Sequence, residues 1–450
     1  MRVMKWSMIA LAVAAAASTQ MATAAPFVSD QAEAKGFVED AKFDLLLRNY
    51  YFNRDKKDRA VDDKDWTQGF HGVFSSGYTQ GTVGVGVDAF GYLGIKLDGE
   101  DKYSGSGNLS RDSQGRNHDD FGKAGGAVKL RVSKTELKFG EMQPSTSPVF
   151  AVGGSRLLPQ TATGFQLQSS EITNLDLEAG HFYSSSSQDE MNSDGELHSQ
   201  YASFPDDGQP VTGRTMDYAG GKYGITDNLS VSLYGSEFKD IWNQYYANVN
   251  YTIPMGSDQS VNLDGNIYRT NDTGDAKAGD ISNTTFSLAA AYSFLKAHTV
   301  TLGFQKVDGD TPFDYVGVGD NNRGGDSIFL ANSIQYSDFN GPNEKSAQIR
   351  YDLKMAEYGV PGLSFMTRYV KGWDIDGTKM DVNSPYRLYG YGEDGKHHET
   401  NFEAKYVVQT GPAKDLSFRI RQAWHRANTD QAEGDINEFR LIVDYPISVL

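Results

Sequence analysis

No cysteine occurs anywhere in the 450 residues, so no disulfide ties this fold together and something else must hold it. Long apolar runs are almost as scarce. One lies near the N-terminus, and nothing after it is apolar for long enough to cross a bilayer as a helix. Positive charge is outnumbered, with 42 Lys and Arg against 59 Asp and Glu and a formal charge of −17. So acidic a chain is a poor partner for the phosphate backbone, and nucleic-acid binding is not expected.

Aromatic residues, by contrast, make up 12% of the chain and glycine appears 48 times, while mean hydropathy is only −0.52. A soluble globular protein this rich in Tyr and Phe would carry longer apolar helical patterns. A barrel that is apolar outside and polar inside accounts for both values at once.

The N-terminus sets the compartment. Arg2 and Lys5 precede the apolar run from Trp6 to Ala17, and Ala22-Thr23-Ala24 offers small residues at a cleavage site. This pattern predicts a secretory signal peptide over residues 1–24, removed to leave one domain over 25–450. Loss of the two leader cations would take the formal charge from −17 to −19.

The dominant signal downstream is alternation with period two. In 416–421, Leu416, Phe418 and Ile420 share one face and Ser417, Arg419 and Arg421 the other; in 128–133, Val128, Leu130 and Val132 oppose Lys129 and Arg131. Phe286, Leu288, Ala290, Tyr292 and Phe294 form a third such face, and Phe439, Leu441, Val443, Tyr445, Ile447 and Val449 a fourth. Such alternation predicts strands with one apolar and one wet face. Strands are expected near 42–53, 65–76, 81–97, 124–133, 135–142, 163–170, 175–184, 215–223, 228–239, 244–253, 260–270, 283–294, 298–306, 345–355, 362–373, 399–409, 415–427 and 435–447.

The gaps alternate between short and long, apart from a tight connection at Asp240–Asn243. A β-sandwich would not sort its loops by length in this way. The fold class expected is therefore all-β: a transmembrane antiparallel barrel of about eighteen strands, with short periplasmic turns and long extracellular loops. The Pro-containing, apolar Ser147-Pro-Val-Phe150 suggests that residues 143–162 fold inward, and residues 307–344, the longest loop, are a second candidate to narrow the pore. Gly84-Val-Gly86 imitates a dinucleotide fingerprint, but no helix follows it. It reads as strand whose small residues leave lumen space.

With apolar faces toward lipid, Lys129, Arg131, Arg350, Arg368, Lys405, Arg419, Arg421 and Arg440 project into the lumen, and Arg48 joins them from a strand with mixed faces. A narrow pore between low-dielectric walls focuses such charge. Guanidinium groups grip carboxylates with paired hydrogen bonds, so successive arginines can pass one along. Each cation taken alone is equally consistent with a solvated lumen charge. No cofactor and no metal site are expected, since His397 and His398 are adjacent and read as loop-exposed.

Several segments resemble the outer-membrane porin D family of pseudomonads: Leu46–Arg54 (LLRNYYFNR), Gly77–Gly84 (GYTQGTVG), Arg156–Thr161 (RLLPQT) and Phe439–Pro446 (FRLIVDYP). Asp326–Asn332, Tyr336–Pro342 and Tyr391–His398 resemble the member that conducts basic amino acids and carbapenems. The resemblance covers the chain after the leader, least well in 98–123 and 185–214. It implies an outer-membrane channel among lipid and lipopolysaccharide, inserted by the barrel-assembly machinery and passing small carboxylates such as arginine and lysine.

It also implies that Tyr201, Tyr336 and Asp338 line a constriction opposite the basic residues. Aromatic or other small carboxylates remain an alternative cargo. The family has been credited with serine peptidase activity, and the matching motifs place His181, Asp240 and Ser327. No nucleophile-elbow pattern surrounds Ser327, so these read as ordinary barrel and loop residues.

Overall fold

The computed structural model describes residues 26–57, 61–205 and 208–450; the expected signal peptide lies outside the described residues. Eighteen antiparallel strands form one closed sheet. Each barrel strand pairs with its neighbours in chain order. Lys42–Lys56 completes the ring by pairing with Asp63–Ser75 on one edge and Ile436–Ser448 on the other. Closure leaves no unpaired edge, which hydrocarbon requires because no water is there to satisfy a free N–H or C=O.

All eighteen expected strands are present. Alternation sorts their side chains as anticipated: Val128, Leu130 and Val132 are 49%, 41% and 45% exposed on the outer face, whereas Lys129 and Arg131 are 4% and 6% exposed within. Two strands, Asp120–Val132 and Gly395–Val407, begin earlier than the pattern suggested. Their first outward residues are Asp120, Gly122, Lys396 and His398, at the end that emerges from the hydrocarbon, where an outer face no longer needs to be apolar. The tight connection at 239–241 joins Leu229–Phe238 to Trp242–Pro254. Asp240 turns it at φ 64°, a left-handed conformation that Asp tolerates.

Inward loops fill part of the lumen. Residues 143–160 and 309–344 both fold inward and bond to the wall. The Tyr268 hydroxyl donates to the Pro148 carbonyl (2.9 Å) and accepts from the Phe329 amide (3.0 Å). Gln305 donates to the Phe339 carbonyl (2.8 Å), and the Asp326 amide donates to the Ala151 carbonyl, joining the two loops (2.9 Å). Phe150, Phe182, Trp242, Tyr268 and Phe313 are buried in the cluster this creates, and Tyr50, Phe52, Leu109, Leu157 and Leu158 in a second. Tyr50 and Phe52 explain the mixed faces of the first strand: they point inward to meet the loops.

Three short strands lie outside the alternating pattern of the barrel. Leu197–Ser203 pairs with Pro210–Gly213 and with Val316–Val318, tying two long loops into a small sheet. Its members are short and largely buried, so they carry no two-faced pattern to read.

The reading of Gly84 and Gly86 as free lumen space is corrected. A side chain at Gly84 would meet Gln31 at 2.2 Å, and one at Gly86 would meet Lys129 at 2.7 Å. Gly84 makes room for the N-terminal segment, whose Gln31 is held by the Thr79 and Gly81 carbonyls and by the Ser133 carbonyl, and Gly86 makes room for the Lys129 side chain.

Candidate functional site

The arginines gather on one wall because six consecutive strands around the barrel each turn a wet face inward. Register sets the order. Arg440 lies opposite Arg421, Arg419 opposite Lys405, and Arg368 opposite Arg350. Arg440, Arg421, Arg419 and Lys405 thus step from mid-wall toward the periplasmic turns.

The staircase is not bare cation. Glu403 lies 2.7 Å from Arg419 and 3.3 Å from Arg421, and Glu438 lies 2.5 Å from Arg440 and 2.6 Å from Arg54. Asp444 receives Arg48 through two parallel bonds (2.8 and 3.1 Å), and Asp352 receives Arg350 likewise (2.7 and 2.7 Å). Arg368 donates to Asn401 (2.9 Å). The Nε of Arg419 is buried without a hydrogen-bond partner, and that of Arg421 meets Glu403 only as an ion pair at 3.3 Å. That is spare donor capacity where a carboxylate would be welcome.

Two expected members leave the row. Lys129 and Arg131 stand several strands away, at the periplasmic end. Lys129 binds Asp88 and Ser75 (both 2.6 Å), while Arg131 binds Gln31 (3.0 Å) and Ser29 (2.6 Å) and stacks on Tyr78 (3.8 Å). Arg131 thus anchors the N-terminal segment, while Lys129 ties neighbouring strands of the wall together. Conversely, Arg54 and Arg156 belong to the wall and were not singled out. Arg54 shares the inward face of Arg48 at period two, a signal the mixed strand obscured. Arg156 comes from the inward loop, with its guanidinium 5.3 Å from the Phe52 ring, and only the fold places it there.

The acidic side lies on the loops. Asp338 accepts from Tyr201 (2.6 Å), Tyr315 (2.9 Å) and Ser333 (2.6 Å), so three hydroxyls hold its carboxylate in place. Nearby, burial and then the Asp338 charge push the Asp326 carboxyl up to about 7.

Tyr336 corrects the expected grouping. Its ring lies 4.9 Å from Arg54 and its hydroxyl donates to the Glu433 carbonyl (2.9 Å), so it belongs to the basic side. The cause is a turn: Glu399 accepts from the amides of both Tyr336 and Ser337 (3.2 and 3.0 Å), and Phe339 follows at φ 50°. Successive side chains therefore part company.

The peptidase candidates do not meet. His181 lies on the outer face of its strand and binds Asp217 (2.6 Å), Asp240 sits in an extracellular turn, and Ser327 is fully buried inside with its hydroxyl unpartnered. A base on the outside of a barrel cannot activate a hydroxyl within it. Nor does His397 lie in the exposed loop expected from its position beside His398. It is a buried strand residue bonded to His425 (2.8 Å) and Glu344 (2.7 Å).

A closed eighteen-stranded barrel, apolar outside, with a charged lumen narrowed by inward loops, is an outer-membrane porin. The chain belongs to the OprD family of these porins, whose family model, described as "outer membrane porin, OprD family", matches residues 35–449. It is 68% identical to Porin D of Pseudomonas aeruginosa over 453 residues, covering the whole of both chains. The crystal structure of OprD from that organism superposes with a TM-score of 0.82 at 64% identity, over 94% of this chain and 100% of that one. P. aeruginosa OpdK, solved with vanillate, gives 0.81 at 36% identity over 92% and 100% of the two chains. The protein is a channel of the outer membrane, surrounded by its lipid and lipopolysaccharide, and not an enzyme.

Proposed function

We propose that this pore passes small carboxylates by facilitated diffusion and favours those with a cationic end: arginine and lysine, small basic peptides, and carbapenem antibiotics. The observation that carries the reading is the pairing of two poles in one lumen: a loop carboxylate, Asp338, held by three hydroxyls, and a wall of arginines with unused donors. A carboxylate fits the wall, and an ammonium or guanidinium fits Asp338. Conduction requires that each contact release what it attracts.

Export would use the signal peptide over 1–24, and insertion the barrel-assembly machinery. Aromatic carboxylates are a second reading, because the wall alone recognises any carboxylate and the OpdK relative was solved with vanillate. Single-channel conductance in a planar bilayer, with arginine, glutamate and benzoate as competing solutes, separates the two. Stronger block by arginine than by benzoate supports the two-pole pore; equal or stronger block by benzoate favours the second reading.

A further inference from the structure

At the extracellular end of the arginine wall, three side chains from separate parts of the chain converge on one point. His397 comes from Gly395–Val407, His425 from the adjacent Ser417–Ala427, and Glu433 from the connection that follows it. The facing atoms are His397 Nδ1, His425 Nε2 and Glu433 Oε2. Their separations are 2.8 Å between the two nitrogens, 3.4 Å from His425 to Glu433 and 3.7 Å from His397 to Glu433. Donors about 2.0–2.1 Å from a tetrahedral zinc ion stand about 3.3 Å apart. The three observed separations bracket that value.

The outer atoms of the two rings strengthen the case. His425 Nδ1 lies 2.7 Å from the Gly434 carbonyl, and His397 Nε2 lies 2.7 Å from a Glu344 carboxylate oxygen. Assigned from these partners, both outer nitrogens donate, which leaves lone pairs on the two inner nitrogens, aimed at each other and at the Glu433 oxygen. The Glu433 oxygen also accepts from Gln431 Nε2 (3.2 Å), and a cation placed between it and the two lone pairs would meet all three. An imidazole whose far N–H is held by a carboxylate or a backbone carbonyl is the arrangement that supports metal-ligating histidines.

We propose that His397, His425 and Glu433 form a binding site for a divalent transition metal of the zinc class. Two imidazoles and one carboxylate suit such an ion and not calcium or magnesium, which prefer oxygen alone. The imidazoles are fully buried and Glu433 is slightly exposed, toward a cavity of about 300 Å³ that Glu433, Tyr336 and Arg54 help to line. A fourth ligand, water or a solute carboxylate, enters from there.

The site also touches the pore loop. Phe339 stacks on His397 at 4.2 Å between ring centres, and Tyr336 packs on His425 at 5.0 Å. A metal here joins two strands and an extracellular connection, and steadies the rings on which the constriction loop rests.

The test uses the full untagged protein in detergent, stripped with chelator and then titrated with Zn²⁺ and with Co²⁺. The expected result is one equivalent bound per chain, with a tetrahedral Co²⁺ visible spectrum. His425→Gln and Glu433→Gln should lose that spectrum, and Glu344→Gln should weaken binding about 10–100-fold. His398→Ala, whose ring lies near Tyr369 and not at the cluster, should bind as the native protein does. Heat-modifiable gel mobility verifies that each variant is folded. If His425→Gln does not fold, Glu433→Gln decides the matter alone, since it changes one atom in a connection outside the strands. No saturable binding, or a Co²⁺ spectrum unaltered in Glu433→Gln, would overturn the proposal and leave a proton shared between the two rings as the occupant.

Discussion

In the two-pole pore proposed above, single residues tell solutes apart. Asp338 is held by three hydroxyl donors, so its carboxylate is oriented before a solute arrives. A hydrogen bond to a charged group contributes about 1.5–3 kcal/mol, and about 1.4 kcal/mol is a factor of ten. Asp338→Asn should therefore lower liposome uptake of labelled arginine about tenfold or more while leaving benzoate within about twofold. Equal losses for both solutes would reject the two-pole pore. Arg421→Gln should reduce both, since each solute presents a carboxylate to the wall; unchanged uptake would remove Arg421 from the path. Ser327→Ala should alter no hydrolytic signal in purified samples, because its hydroxyl has no base within reach.

Among elements, the inward loops set the width of the passage. Phe150 is fully buried, packing on Phe182 at 4.9 Å and on Tyr218 at 6.4 Å. Truncating a buried Phe to Ala costs about 3–5 kcal/mol, and here the loss falls on the attachment of a loop whose barrel stands without it. Phe150→Ala should raise single-channel conductance and current noise with the β-sheet content unchanged.

The same loops carry the pH dependence. A free Asp titrates near about 4, whereas burial and Asp338 push Asp326 up to about 7. Between these values the folded chain keeps a proton the unfolded chain has lost, so the stabilisation from the neutral carboxyl fades as pH rises from about 4 to about 7. Above it, a second negative charge appears beside Asp338. Arginine preference over benzoate should rise between about pH 6 and pH 8, and Asp326→Asn should flatten that rise; a slope unchanged in the variant would assign it elsewhere.

Taken whole, the molecule is held by a closed hydrogen-bonded ring. Circular dichroism in detergent should be β-dominated, and an unboiled sample should run at a different gel mobility from a boiled one; a helix-rich spectrum would contradict the barrel. Selectivity should weaken with salt, since screening shortens the reach of wall charges to about 8 Å at physiological ionic strength. The paired carboxylates, Glu403 among them, temper the wall. Glu403→Gln should shift permeability toward anions, read as the reversal potential in a salt gradient.

Strand number, strand facing and loop sorting were legible in the residues, because a barrel in lipid leaves one simple mark: every spanning segment is apolar at alternate positions. That mark disappears where lipid no longer acts. It failed at the wet ends of Asp120–Val132 and Gly395–Val407, in the small sheet of the lumen loops, and at Tyr50 and Phe52, which are apolar because they meet a loop. Residue type and face identified Arg419, Arg421 and Arg440 as lumen cations, but not the glutamates that pair with them. Arg131 pointed inward as expected and proved to be bound to the N-terminal segment. Contacts between residues far apart in the chain, such as Tyr201 with Asp338 or His397 with His425 and Glu433, have no periodic signature. Closure of the barrel and the infolding of its loops brought them together, and tertiary structure alone decided them.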